Sequence, residues 1–271
     1  MTVLVTGVTG LVGARLLPRL VGAGIDCRAL IRPEREAPAG VTAVIGDLAD
    51  RASLEQAVNG VSSIVHLAAV FRTQDEDLIW RSNLEGARNL IAAARAAAPA
   101  ARIILASTSH VYGAQGARPG REGDLVAPQH AYPASKVAAE EALCQSDLNW
   151  SILRLPFIYG DGDGHLEALP RHAQEARMHA AKRISTLHHR DIATAIQLAL
   201  TGVFDKRIVN LADDAPTSIF ELIQLVGGTM QESCEPLDNP WHLHVDASLS
   251  RRLGFQPTIR TVYQAAQEGL L

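Results

Sequence analysis

The sequence predicts an α/β fold built on a doubly wound parallel sheet, and three observations lead to it. An apolar strand at residues 2–6 runs into Gly7-Val8-Thr9-Gly10-Leu11-Val12-Gly13 and then into an apolar helix reaching about Val21. Further strand-like runs lie at residues 26–31, 41–45, 61–66, 102–106 and 150–155, each followed by a turn signal or a helix-period stretch. Strands alternating with helices require right-handed crossovers, which lay the strands parallel. The chain has 271 residues, 47% of them hydrophobic, enough for one large core and a smaller appendage.

The ligand of such a sheet sits beyond the carboxyl ends of its strands, so the residues after each apolar run carry the interest. After the first strand, Gly7 and Gly10 let the backbone turn and approach phosphate oxygens, and Gly13 lets the helix pack on the strand. Thr9, Leu11 and Val12 share that turn, and the helix N-terminus aims free N–H groups at an anion. This is a diphosphate cradle, and it implies a dinucleotide. After the second strand stand Ile31 and Arg32 with no acid at the strand end, so a guanidinium awaits a 2′-phosphate and NADP is favoured over NAD. Asp47 and Leu48 follow the third strand, where the carboxylate can meet an adenine amino group. Leu67, Ala68 and Ala69 follow the fourth, small enough to let a dinucleotide lie close.

After the fifth strand come Ser107-Thr108-Ser109-His110, and 24 residues beyond Thr108 lies Tyr132-Pro133-Ala134-Ser135-Lys136. Pro133 suits the first turn of a helix. Tyr132 and Lys136, four residues apart, then share one helix face. Lys136 is one of three lysines in a chain with 22 arginines.

The motifs GVTGLVG, GDL, HLAA, NLEGARNLI, STSHVYG, YPASK and LRLPFIYGDG, in this order, resemble the extended short-chain dehydrogenase/reductase family of NAD(P)-dependent epimerases, dehydratases and reductases. The resemblance covers nearly the whole chain. It implies a Rossmann-type fold, Tyr132 as general acid/base, Lys136 as the residue that holds the nicotinamide ribose and lowers the tyrosine pKa, and Thr108 as the hydroxyl that positions the substrate oxygen. It adds Asn83, Pro156 and Ile158 to the cofactor residues, beside Tyr132 and Lys136. Ser109, His110, Phe157 and His165 are the candidate substrate residues.

Two departures narrow the activity. Family members that dehydrate nucleotide sugars carry an Asp-Glu pair where Ser109-His110 stands here, which disfavours dehydration. Many nucleotide-sugar enzymes place an asparagine where Pro156-Phe157-Ile158 stands. The reading is therefore an NAD(P)-dependent oxidoreductase acting on a small carbonyl or alcohol. A nucleotide-sugar epimerase and a non-catalytic dinucleotide sensor are the alternatives.

The expected organisation is a dinucleotide-binding domain of residues 1–160 plus 186–212 and a substrate domain of 161–185 plus 213–271. His165, His172 and His179, spaced by seven, predict one helical stripe, read as a polar face without metal. Residues 113–124 are glycine- and proline-rich and read as a loop, either a lid or a mobile surface segment. A net charge of −4 without a basic stripe argues against nucleic acid. The unpaired pattern of Cys27, Cys144 and Cys234, with no long apolar run or cationic leader, reads as a cytoplasmic protein with no membrane partner. By resemblance it forms a homodimer through the helix carrying Tyr132 and the one around Asn83.

Overall fold

The computed structural model describes every residue except Ala37 and Glu232. The first half alternates β1 (Thr2–Thr6), α1 (Leu11–Gly22), β2 (Asp26–Ile31), β3 (Thr42–Ile45), α2 (Arg51–Val58) and β4 (Ser63–His66). It continues through α3 (Glu76–Trp80), α4 (Gly86–Ala97), β5 (Arg102–Thr108), α5 (Ala131–Cys144) and β6 (Asn149–Leu155). Beyond these lie β7 (Phe157–Tyr159), α6 (Leu169–Glu175), β8 (Arg183–Ile184), β9 (Thr186–His188), α7 (His189–Leu200) and β10 (Arg207–Asn210). The chain closes with β11 (Thr217–Ser218), α8 (Ile219–Leu225), α9 (Ser248–Arg252) and α10 (Val262–Gln267).

Seven strands form one sheet in the order β10-β6-β5-β4-β1-β2-β3, and every neighbouring pair is parallel. The order runs outward in both directions from the β1–β4 boundary, so the crevice of the doubly wound sheet opens there, above Thr6 and His66. On one face Leu16, Leu17 and Leu20 of α1 join Ile192 and Ile196 of α7 in the core. On the other, Leu54, Leu90, Ala93 and Leu143 cover the sheet from α2, α4 and α5. Alanines at 87, 93 and 94 keep α4 close to its neighbours.

Tyr159, Leu166, Leu169, Ile184, Ile219, Leu222 and Val262 form a separate apolar cluster, drawn from the two stretches read as the appendage and from Tyr159 just ahead of the first. Beside it, β7 and β9 pair in parallel, and Phe157 lies opposite Thr186. Among the described residues, no helix is long and apolar enough to cross a membrane.

The observed strands match the expected ones to within two residues. Arg207–Asn210 adds an edge strand that the apolar pattern does not announce. The histidine stripe does not form: only His172 lies in α6, with His165 in the turn before it and His179 in the turn after. Residues 113–124 are a loop and they are pinned. Gly120 exchanges backbone bonds with His244 and Asp246 at 3.0 and 2.9 Å, and Arg121 pairs with Asp246 at 2.8 Å.

Candidate active site

The glycine turn is built from close contacts. Gly7 sits at φ +73°, and a Cβ on it would come within 2.6 Å of the Ala68 backbone nitrogen. The β1 turn and the segment after β4 therefore touch main chain to main chain, which requires glycine at position 7. A Cβ on Gly13 would lie 2.2 Å from the Gly7 carbonyl oxygen. Gly10 caps α1 with no side chain, leaving the first-turn N–H groups that Leu11 and Val12 flank without a side-chain acceptor. A phosphate fits that vacant acceptor position.

The remaining cofactor candidates line the same strand ends. Arg32 is exposed just beyond β2. One Asp47 carboxylate oxygen accepts the Ala49 N–H at 2.8 Å, and the Leu48 side chain rests against Gly86, where a Cβ would meet it at 3.2 Å. Asn83 lies in a single π-helical turn between α3 and α4 and is only 1% exposed. Its amide clamps both polar groups of Val70, at 2.8 and 2.9 Å, and donates to Ser135 Oγ at 3.0 Å. Ser135 Oγ in turn donates to the Tyr132 carbonyl at 2.8 Å. Asn83 thus fastens the segment after β4 to the helix carrying Tyr132. Pro156 is buried, and Ile158 packs against the main core.

β5 delivers Thr108 and α5 delivers Tyr132 and Lys136 to one place. Burial pushes the Tyr132 phenol up to about 12, and hydrogen bonding to Thr108 is the influence that opposes it. Lys136, 2% exposed, is lowered to about 8 by burial, with Glu140 one turn on opposing the fall.

The sequence reading missed two neighbours of this pair. His66 Nδ1 lies 2.7 Å from Thr6 Oγ1, and its buried Nε2 has no partner among the described residues. Burial, reinforced by the Lys136 charge, lowers that imidazole to about 3, so it is neutral. Glu140 accepts from Arg154 at 2.6 and 3.1 Å and from Ser107 Oγ. Arg154 also donates to the Tyr112 hydroxyl at 2.9 Å, and that hydroxyl donates to Asn210 at 2.8 Å. The signal was legible in principle, since Glu140 falls one helical turn beyond Lys136.

On the substrate side, Phe71 packs 5.5 Å from the Tyr132 ring and Phe157 stacks 4.3 Å from the His165 ring. His165 Nδ1 is held by the Ile158 carbonyl at 2.8 Å. Ser109 is 2% exposed, whereas His110 opens into the groove. Protein surrounds His110 on most sides, and this enclosure lowers its pKa, helped by His242, Lys182, His130 and His165. Its contact with solvent limits that desolvation. Two depressions of about 450 and 480 Å³ lie elsewhere, on the outer face of α4 and α5, away from Tyr132.

A profile of the NAD dependent epimerase/dehydratase family matches residues 3–212. The ceramide reductase of Caulobacter vibrioides is 31% identical over 202 residues, 72% of this chain but only 59% of the relative's length. The 4-hydroxy-2-methyl-3-oxo-4-farnesyl-3,4-dihydroquinoline-1-oxide ketoreductase of Stigmatella aurantiaca is 28% identical, covering 93% of this chain and 82% of its own. A short-chain dehydrogenase/reductase superfamily protein from Agrobacterium tumefaciens, solved with bound NAD, superposes with a TM-score of 0.83 at 24% identity, covering 99% of this chain and 95% of that one. The chain belongs to the NAD-dependent epimerase/dehydratase family.

Proposed function

We propose that this chain is an NAD(P)-dependent oxidoreductase that moves a hydride to or from a hydroxyl- or carbonyl-bearing carbon, with Tyr132 as general acid/base. The observation that carries the reading is the meeting of the Thr108 and Tyr132 hydroxyls beside a buried Lys136. The bound dinucleotide supplies the hydride chemistry. Thr108 donates to the substrate oxygen and fixes its position, while Tyr132 gives or takes the proton on that oxygen.

The energetics define what the bound state must provide. Bringing a phenol from about 12 to about 7 requires ~7 kcal/mol of phenolate stabilisation. One unit charge about 4 Å away supplies ~4 kcal/mol at an effective dielectric near 20. Lys136 alone would therefore fall short, and the oxidised ring of a dinucleotide held beside Tyr132 and Lys136 would supply a second positive charge. In this reading the acid/base group is switched on by coenzyme binding.

Arg32 favours NADP over NAD, and residues 161–185 plus 213–271 form the substrate domain. A homodimer uses α4 and α5, and light scattering giving the mass of a single chain removes it. The second reading, epimerisation, draws on the family description and uses the same residues. It requires dinucleotide to stay bound through the cycle. Tyr132→Phe is the decisive variant. An oxidoreductase loses at least ~100-fold in turnover while holding dinucleotide, and unchanged signalling or binding behaviour with no turnover in either protein identifies a sensor instead.

A further inference from the structure

The groove beside Tyr132 is bordered by side chains that are cationic or become so on protonation. His110 follows Thr108 by two residues and His130 precedes Tyr132 by two. His165 stacks on Phe157, and Arg72 lies 5.0 Å from the Phe71 ring that packs on Tyr132. The Phe157 N–H donates to the Ser185 carbonyl at 3.2 Å and the Asn239 amide donates to the Gly116 carbonyl at 2.9 Å, so the segments that carry Lys182 and His242 lie against β7 and against the loop that follows His110. Asp163, the acid beside His165, is already occupied, bonding His189 at 2.8 Å and the His165 N–H at 2.8 Å.

Within this border, Lys182 and His242 form a donor pair. Lys182 Nζ is 2.9 Å from His242 Nδ1. An ammonium is only a donor, so Nδ1 accepts and the imidazole proton resides on Nε2. The pair therefore offers one imidazole N–H and the two remaining ammonium N–H groups, with positive charge and, among the described residues, no ion pair to a carboxylate. Its backbone is fixed from both sides: the Lys182 carbonyl accepts from the Ile219 N–H at 2.9 Å, and Leu243 accepts from the Ser185 N–H at 3.1 Å. Both residues belong to the two chain segments that form the separate apolar cluster.

We propose that Lys182 and His242 anchor an anionic group, a carboxylate or a phosphate, on the small hydroxyl- or carbonyl-bearing substrate presented to Thr108 and Tyr132. The inference rests on the oxidoreductase reading for the substrate's other end, but the anchor itself is independent of turnover. An anion bridging the ammonium and the imidazole N–H gains charge-assisted hydrogen bonds in a partly enclosed groove, whereas a neutral polyol leaves the ammonium uncompensated.

The test is calorimetric titration of the full chain, with and without saturating NAD+, using matched probes: D-gluconate against D-sorbitol, and glycerol 3-phosphate against glycerol. At least one anion is expected to bind ~10-fold or more tightly than its neutral partner, and whichever pair shows the preference identifies the carboxylate or phosphate source. Lys182→Gln reduces that preference below ~3-fold, His242→Phe reduces it partially, and Tyr132→Phe leaves it intact, as charge-assisted bonds predict. Lys182 is half-buried on the groove wall, and unchanged circular dichroism in the variant confirms folding. Equal affinity for both members of both pairs overturns the anchor, as does a preference that survives in Lys182→Gln, which assigns the anion to the glycine turn. Failure to bind both NAD+ and NADP+, titrated separately, removes the oxidoreductase reading while the Lys182 comparison still decides the anchor.

Discussion

Gly13→Ala sets helix propensity against packing, and the two predict opposite signs. By propensity, alanine inside α1 is better than glycine by about 1 kcal/mol. A Cβ at residue 13, however, would lie 2.2 Å from the Gly7 carbonyl oxygen and 2.7 Å from Val8 Cα, both main-chain atoms. Reaching an ordinary separation of about 3.5 Å requires α1 to retreat from β1 by roughly 1 Å. Such a gap forfeits a quarter to a half of the dispersion energy of the contacts it opens, and Leu16, Leu17 and Leu20 are each at most 1% exposed. Overpacking of this kind costs ~1–3 kcal/mol, and main-chain obstruction places the loss near the upper end. At about 2–4 °C per kcal/mol, the melting temperature falls by ~5–10 °C. The same retreat removes the α1 N–H groups from the phosphate position, so NADPH affinity, read by fluorescence, drops at least ~10-fold. Gly22→Ala is the internal control, since Gly22 ends the same helix with none of the described residues within 4 Å of its Cβ position. Its melting temperature stays level or rises. A Gly13→Ala protein as stable as Gly22→Ala, with unchanged affinity, refutes the packing argument.

Two further substitutions probe charge. Burial lowers Lys136 from 10.5 to about 8, which corresponds to ~3 kcal/mol of cost to the unliganded fold at pH 7. The sign follows from the depressed folded pKa: the cost is complete below pH 8 and is relieved as pH rises toward 10.5. Lys136→Met is therefore more stable than the parent at pH 7 in urea unfolding, with the gap narrowing toward pH 10, although turnover is lost. A Lys136→Met chain less stable at pH 7 contradicts this. Arg32→Ala weakens NADPH ~10-fold or more and leaves NADH unchanged in parallel fluorescence titrations, the size of a lost charge-assisted hydrogen bond. An equal effect on both coenzymes removes the 2′-phosphate assignment.

The sheet and the Thr108, Tyr132 and Lys136 constellation were legible because local signals and global architecture agreed. Apolar runs, crossover order and helix spacing each depend on residues near one another in sequence. The edge strand Arg207–Asn210 was not, because an arginine and an asparagine at its ends break the apolar run. The seven-residue histidine spacing misled, because periodicity does not reveal that the helix spans only Leu169–Glu175. Asn83 carries an amide whose partners, Val70 and Ser135, come from two other elements, so its role as a fastener depends on tertiary geometry. Lys182 and His242, 60 positions apart, meet only through the folding of the appendage.

The Glu140–Arg154 pair, with both side chains at most 4% exposed, has a consequence for how the groove adapts. Turning α5 about its axis strips a carboxylate from its guanidinium in a dry interior, an event that costs ~3–5 kcal/mol. The floor that holds the phenol and the ammonium is thereby locked in orientation. Accommodation of differently shaped molecules falls to the walls above, where Phe71 and Arg72 stand in solvent and can reorient without disturbing a single buried charge.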